Sequence, residues 1–255
     1  MKSKIIPFVL ITLLLSGCAS SLYEAAPSGT TVDTRVKENA TIVFSRPSFL
    51  GAALPNTVVA FDPETKATSY VGTLGPQTKI EYQTTPGTHY FYMLGGENDD
   101  MIKVTTKASS QYYVVTEPQM GLVAGRFYFK PVRYGNVAAA NRLLGKKCES
   151  TLLTQYGFKK QEDGAKELLG VKQYHSPKYH IDIECKKSSV VKSKYTGYSF
   201  ADVSEVQLVR KTMEGEKYYT GKLPEINKEI KEDFDNWIKE EASKTAVMPS
   251  DGKPL

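Results

Sequence analysis

The chain has 255 residues, 40% of them hydrophobic and 24% charged, which excludes a wholly disordered chain, a collagen-like repeat and a polytopic membrane protein. Three cysteines are too few for a disulfide-dense miniprotein. Of the formal charge of +5, two units belong to Lys2 and Lys4, and the remaining +3 is spread too thinly to attract nucleic acid, which is not an expected partner.

Residues 1–17 read as an export signal. Two lysines precede an apolar run from Ile5 to Leu15, broken only by Pro7 and Thr12. Eleven helical residues span about 16 Å, half the hydrocarbon thickness, which suits a signal peptide and not a membrane span. Leu15-Ser16-Gly17-Cys18 resembles the lipobox of bacterial lipoproteins. That resemblance implies cleavage before Cys18, lipidation of its thiol and acylation, typically by palmitate, of the new amino group. Several acyl chains at about 0.8 kcal/mol per buried methylene anchor a protein stably where one does not. The alternative is an incidental cysteine behind a soluble-secretion signal. Ala19 and Ser20 lack the aspartate that, in lipoprotein sorting, favours the inner membrane. The resemblance therefore implies an outer-membrane anchor facing the periplasm. Residues 18–39, rich in Ser, Thr, Ala and Gly, read as the lipidated cysteine and a flexible tether reaching about 25 Å.

From residue 40 short apolar runs alternate with turn residues. Thr41 to Phe44, Thr57 to Phe61, Ser69 to Val71, Lys79 to Tyr82, His89 to Leu94, Met101 to Thr106, Gln111 to Thr116 and Leu122 to Val132 predict seven or eight strands. Their β-branched and aromatic content and regular spacing predict an antiparallel β-sandwich over residues 40–133. Thr85-Pro86-Gly87 predicts a type II turn joining a hairpin, with His89 at its mouth.

Arg46 to Ser48 (R-P-S), Val71 to Leu74 (V-G-x-L), Pro86 to His89 (P-G-x-H) and Gln111 to Val114 (Q-Y-Y-V) resemble a domain of unknown function that recurs in small bacterial lipoproteins. More distantly, residues 40–132 are similar to transthyretin-like and PEGA-type sandwich modules. The resemblance implies an envelope-anchored β module without an assigned activity.

Several side chains in this region invite a functional reading. His89 is a ligand or base, or else its ring rests on a turn carbonyl. Arg46 binds an anion or snorkels along the sheet edge. Tyr90 and Tyr92 share one strand face with Leu94, opposite Phe91 and Met93. With Tyr112 and Tyr113 they are candidates for a platform that stacks sugars such as peptidoglycan, the alternative being ordinary cross-strand packing or a face covered by the second half of the chain.

Residues 134–245 read as an α+β segment. NVAAANRLL between Gly135 and Gly145 predicts a helix, Glu149 to Phe158 a second, and Glu205 to Lys211 a strand. Tyr179 to Cys185 alternates cleanly, with Tyr179, Ile181, Ile183 and Cys185 on one face and His180, Asp182 and Glu184 on the other. Those three polar residues, with His175, are read as a solvated face and not as a metal site. Lys186, Lys187, Lys192 and Lys194 are read as a solvated loop, with anionic lipid headgroups as the functional alternative. With Cys18 lipidated and the periplasm oxidising, a disulfide between Cys148 and Cys185 is the economical expectation, closing a loop of 38 residues; a redox pair is the alternative. From Pro224, Ile226, Ile230, Phe234, Trp237 and Ile238 form the apolar stripe of an amphipathic helix ending near Lys244. Residues 246–255 read as a disordered tail.

The chain lacks G-x-S-x-G, G-x-x-x-x-G-K-[ST], H-E-x-x-H and the dinucleotide glycine fingerprint. The expectation is a mainly β, α+β lipoprotein without cofactor, acting as a non-catalytic protein-interaction or envelope-assembly module. The alternative is a peptidoglycan-binding module. Its expected partners are the membrane, through the lipid, and an envelope protein or peptidoglycan.

Overall fold

The computed structural model describes residues 23–25, 38–122, 125–198, 200–204, 206–211, 233–234, 236–239 and 246–255. The signal segment, Cys18 and most of the helix expected between residues 224 and 244 lie outside the described residues.

The chain is mainly β, and its centre is a sandwich of two sheets. One contains β1 (Tyr23–Ala25), β2 (Ala40–Arg46), β5 (Thr78–Thr84), β8 (Ser110–Met120), β9 (Gly125–Val132), β14 (Gln207–Lys211) and β15 (Lys253–Pro254), in the order β1-β14-β5-β2-β8-β15 with β9 also on β8. The other is β4-β3-β6-β7, built from β3 (Asn56–Phe61), β4 (Thr68–Leu74), β6 (Gly87–Leu94) and β7 (Asp100–Thr106). Most pairings are antiparallel; β2 with β8 and β14 with β5 are parallel.

Alternation decides what fills the space between the sheets. Ile42 and Phe44 of β2, Phe91 and Met93 of β6, Tyr112 and Val114 of β8, and Phe127 and Phe129 of β9 point into one core and are essentially unexposed. Phe91 meets Phe44 edge-on at 4.8 Å between ring centroids, a favoured aromatic geometry.

The expected hairpin across Thr85-Pro86-Gly87 is not formed. β5 pairs with β2 and β14, while β6 pairs with β3 and β7, so the chain crosses there from one sheet to the other. Proline and glycine supply a reversal in either case, and only the hydrophobic faces of both strands, turned toward a shared core, select the crossing.

A smaller sheet, β10-β11-β12-β13, comprises β10 (Lys159–Gln161), β11 (Val171–Ser176), β12 (Ile181–Lys186) and β13 (Ser189–Tyr195). α1 (Tyr134–Leu143) and α2 (Ser150–Gln155) pack on one face of it through Ala139, Ala140, Leu143 and Leu152 against Ile181, Ile183 and Val190. α3 (Gly164–Leu168) begins at Asp163, whose side chain caps the Lys166 amide. The lysines expected in a loop lie on the β12–β13 hairpin, whose turn residues Lys187 and Ser188 both have positive φ, 48° and 62°.

The later residues return to the sandwich. α4 (Phe200–Ser204) covers the outer face of the larger sheet, with Phe200 on Tyr113 and Val203 fully buried. Residues 233–234 and 236–239 are helical, and Phe234 packs on Phe61 and Tyr90 over the outer face of the smaller sheet of the sandwich.

Two expectations of disorder are corrected. Tyr23–Ala25, inside the expected tether, pairs with β14. The expected tail is a strap: Val247 is fully buried and bonded to the β7 backbone, residues Pro249–Asp251 form a 3-10 turn, and β15 pairs with β8. Backbone pairing with an open strand edge needs no hydrophobic period, so neither segment announced itself.

Candidate functional site

A cleft of about 520 Å³ opens at the end of the sandwich where the β3–β4 turn and the start of β6 face β5. Phe61, Tyr82, Tyr90 and Phe91 give it aromatic walls, with Asp62, Glu64, Thr88 and His89 around them.

The turn is built by Asp62. Its Oδ1 accepts from the Glu64 amide at 2.8 Å and the Thr65 amide at 3.3 Å, while its backbone closes on Lys66 and Ala67. The Thr65 hydroxyl and these amides hold the Asp62 carboxyl below the usual carboxylate range, so it is ionised at neutral pH. His89 is likewise engaged with backbone. Its Nε2 lies 2.8 Å from the Thr85 carbonyl, and since a carbonyl only accepts, Nε2 carries the proton; Nδ1 is 3.4 Å from the Thr84 hydroxyl. Burial raises the Tyr82 phenol above its ordinary value, which keeps its proton available for donation. The cleft can stack a planar or sugar-like group and hydrogen-bond its rim. Its two most reactive groups are committed to shaping turns.

The structure separates the four candidate platform tyrosines. Tyr112 is fully buried between the sheets, Tyr113 lies under α4, and Tyr92, 1% exposed, packs with Phe234. Only Tyr90 reaches the cleft, and its ring also meets Phe234 at 5.2 Å and Trp237 at 6.4 Å. The platform expectation fails because helical segments from the second half occupy both outer faces.

Arg46 neither faces an anion nor snorkels. It is fully buried, with its guanidinium 4.8 Å above the Phe127 ring and donating to the carbonyls of Leu54, Leu50 and Gly51 at 2.6, 2.8 and 2.6 Å. Burial lowers its pKa.

Cys148 and Cys185 form the disulfide, with Cα atoms 6.1 Å apart, linking the α1–α2 connection to β12. Asp182 and Glu184 share the outward face of β12, but each has cationic or polar neighbours: Asp182 sits 2.7 Å from His175 Nδ1, and Glu184 is 2.8 Å from Lys166 and 3.6 Å from Lys192. His180 stands in the preceding turn with φ 50° and not on the strand. Cys18 lies outside the described residues.

Sequence reasoning missed Tyr82 and Asp62 as cleft residues. Asp62 directly follows the expected strand Thr57 to Phe61, but its neighbours in the cleft come from β5 and β6, whose crossing between sheets was not legible.

No family model, no curated protein and no solved structure matches this chain.

Proposed function

We propose that this is a lipid-anchored protein of the cell envelope, held through Cys18 in the outer membrane and facing the periplasm, whose sandwich serves protein interaction or envelope assembly without catalysis. The lipobox-like Leu15-Ser16-Gly17-Cys18 and a disulfide suited to an oxidising compartment support the address. One observation carries the non-catalytic reading: in this cleft, His89 Nε2 and Asp62 Oδ1 are bonded to the backbone of their own turns.

A second reading, a carbohydrate-binding module, is favoured by the aromatic walls and polar rim of that same cleft. It moves the sugar site from the covered tyrosine face to Tyr82 and Tyr90.

The address is tested by Cys18→Ala, which should abolish palmitate incorporation and leave an uncleaved precursor; normal processing and detergent partitioning would refute it. A photo-crosslinker at Thr88 in cells should yield an adduct with an envelope protein that Tyr82→Ala weakens. A sacculus pull-down abolished by Tyr82→Ala assigns the carbohydrate reading instead. A hydrolytic activity lost in His89→Ala would overturn both.

A further inference from the structure

The end of the sandwich opposite that cleft carries an unusual pair of loops. Residues 47–55 (PSFLGAALP) and 118–125 (PQMGLVAG) contain no charged side chain, whereas turns ordinarily favour Asn, Asp and other polar residues. The fold brings them together: a Cβ placed on Gly125 would sit 3.4 Å from Leu54, and one on Gly51 would sit 3.8 Å from Phe127. At this tip Phe49 is 63%, Leu50 45%, Met120 80% and Leu122 90% exposed.

The loops are held in that state by internal hydrogen bonds. Arg46, buried beneath them, satisfies the carbonyls of Leu50, Gly51 and Leu54. Leu54 N donates to Gly51 O and Leu50 N to the Ser48 hydroxyl. Across the tip, Glu97 accepts from the Leu122 amide at 2.8 Å and donates its own amide to Gly125 O at 3.0 Å, while Arg126 lies 3.4 Å from its carboxylate. Loop carbonyls that stay in water are ordinarily bonded by it. A buried arginine spent on three loop carbonyls is what a loop needs where water is absent.

From this conjunction, exposed apolar side chains on charge-free loops with several of their backbone groups bonded from within the protein, we infer that the Phe49/Leu50 and Met120/Leu122 tip inserts into the interfacial region of a lipid bilayer. Area favours a bilayer over a second copy. The four side chains expose on the order of 500 Å², and two copies meeting tip to tip would bury only about 1,000 Å², the floor for a specific interface. Insertion of one molecule has no such threshold, because its strength simply scales with apolar area. The inference does not depend on Cys18. β2 leads from Ala40 to the tip, so an amino-terminal anchor would join the opposite end of the sandwich, and the tip can meet a facing bilayer.

The test uses the full chain with Leu122→Trp, with the wild type giving the background of Trp237, on vesicles of phosphatidylcholine and phosphatidylglycerol containing lipid brominated in the upper acyl chain. The added indole should shift to shorter wavelength and be quenched about twofold. Phe49→Asp with Leu50→Asp, both on exposed positions, should restore the emission while circular dichroism is unchanged. Bromolipid placed either in the protein-bearing vesicles or in a second, added population tells which bilayer is entered, and quenching in either supports the inference. Equal iodide access to the indole with and without vesicles overturns it. So does shielding that rises with protein concentration in the absence of lipid, which would assign the tip to a second copy. Loss of palmitate labelling at Cys18 with quenching retained would sink the anchor alone.

Discussion

Asn98 pairs with Phe127 as one strand pairs with another: its side-chain Nδ2 donates to the Phe127 carbonyl at 2.9 Å, and its Oδ1 accepts from the Phe127 amide at 2.8 Å. Two residues on, Asp100 Oδ2 accepts from the Phe129 amide at 2.6 Å while its Oδ1 accepts from Met101 N. β9 thus has β8 on one edge and a ladder of side chains from the other sheet along its second edge. This closes the seam of the sandwich where an exposed edge would otherwise invite another strand.

Asn98→Ala should therefore destabilise the protein by about 1–3 kcal/mol, the range for leaving buried backbone groups unpaired. Asn98→Asp keeps the acceptor but turns a charge toward the Phe127 carbonyl, and should be no better than alanine. Urea unfolding midpoints compare the three proteins, and an Asn98→Ala midpoint equal to wild type would mean that water replaces the amide.

Arg46→Met fills similar volume but removes the donor to three loop carbonyls, and a loss of about 1–3 kcal/mol is expected, the range for polar groups left unpaired. Arg46→Lys should recover only part, because one ammonium cannot reproduce the planar fork. Thermal unfolding ranks them; a methionine variant as stable as wild type would show that the cation is not the clamp.

The β12–β13 turn places Lys187 and Ser188 at positive φ, where residues with a Cβ are strained and Asn-Gly is preferred. Lys187→Asn with Ser188→Gly should stabilise the hairpin by about 1–2 kcal/mol, each residue at positive φ costing roughly 1–2 kcal/mol before the entropy of the new glycine is subtracted. A lowered melting temperature would contradict this.

Reduction of Cys148–Cys185, or Cys148→Ser with Cys185→Ser, removes a constraint spanning 37 residues in sequence. Chain entropy puts the loss at about 4 kcal/mol. It should fall on the unit of α1, α2 and β10–β13, so amide exchange there should accelerate before exchange in β2 and β8. Uniform acceleration would show that this unit does not open independently.

Asp251 is 5% exposed, and burial raises its carboxyl above the ordinary value despite the Met248 amide at 2.9 Å and Arg133 at 3.6 Å. The folded state then holds this proton more tightly than the unfolded chain. Its contribution is fully present below the unfolded pKa and is lost as pH rises through the raised folded one. Asp251→Asn keeps an acceptor for Met248 and removes that titration. Its stability should fall less steeply than wild type from about pH 4 upward. An unchanged slope in denaturant titrations would mean another group carries it.

The strands of the sandwich were legible because their buried faces alternate with period two. Phe91 and Met93 against Tyr90, Tyr92 and Leu94 divide in the structure as the pattern required. Pairing was less legible. A Pro-Gly reversal after β5 fits a hairpin and a crossing between sheets equally well, and the choice belongs to a core assembled from distant residues. Arg46 was misplaced for a related reason: its partners are backbone carbonyls, which leave no residue-type signature. Val247 sits in the three-residue apolar run Ala246-Val247-Met248, too short for a periodic signal, yet enough to fill one position of the main core.

The strap has a consequence for the order of events. β2, near the start of the folded region, lies between β5 and β8, and the same core and sheet are completed only by Val247 and β15. A ribosome delivers β2 long before residues 247–254, so the sandwich cannot close around Val247 until that segment has been made. Contacts so remote in sequence form slowly. Such a polypeptide stays threadable until then, a favourable property under the proposed export, which would pass it through a narrow channel before it settles.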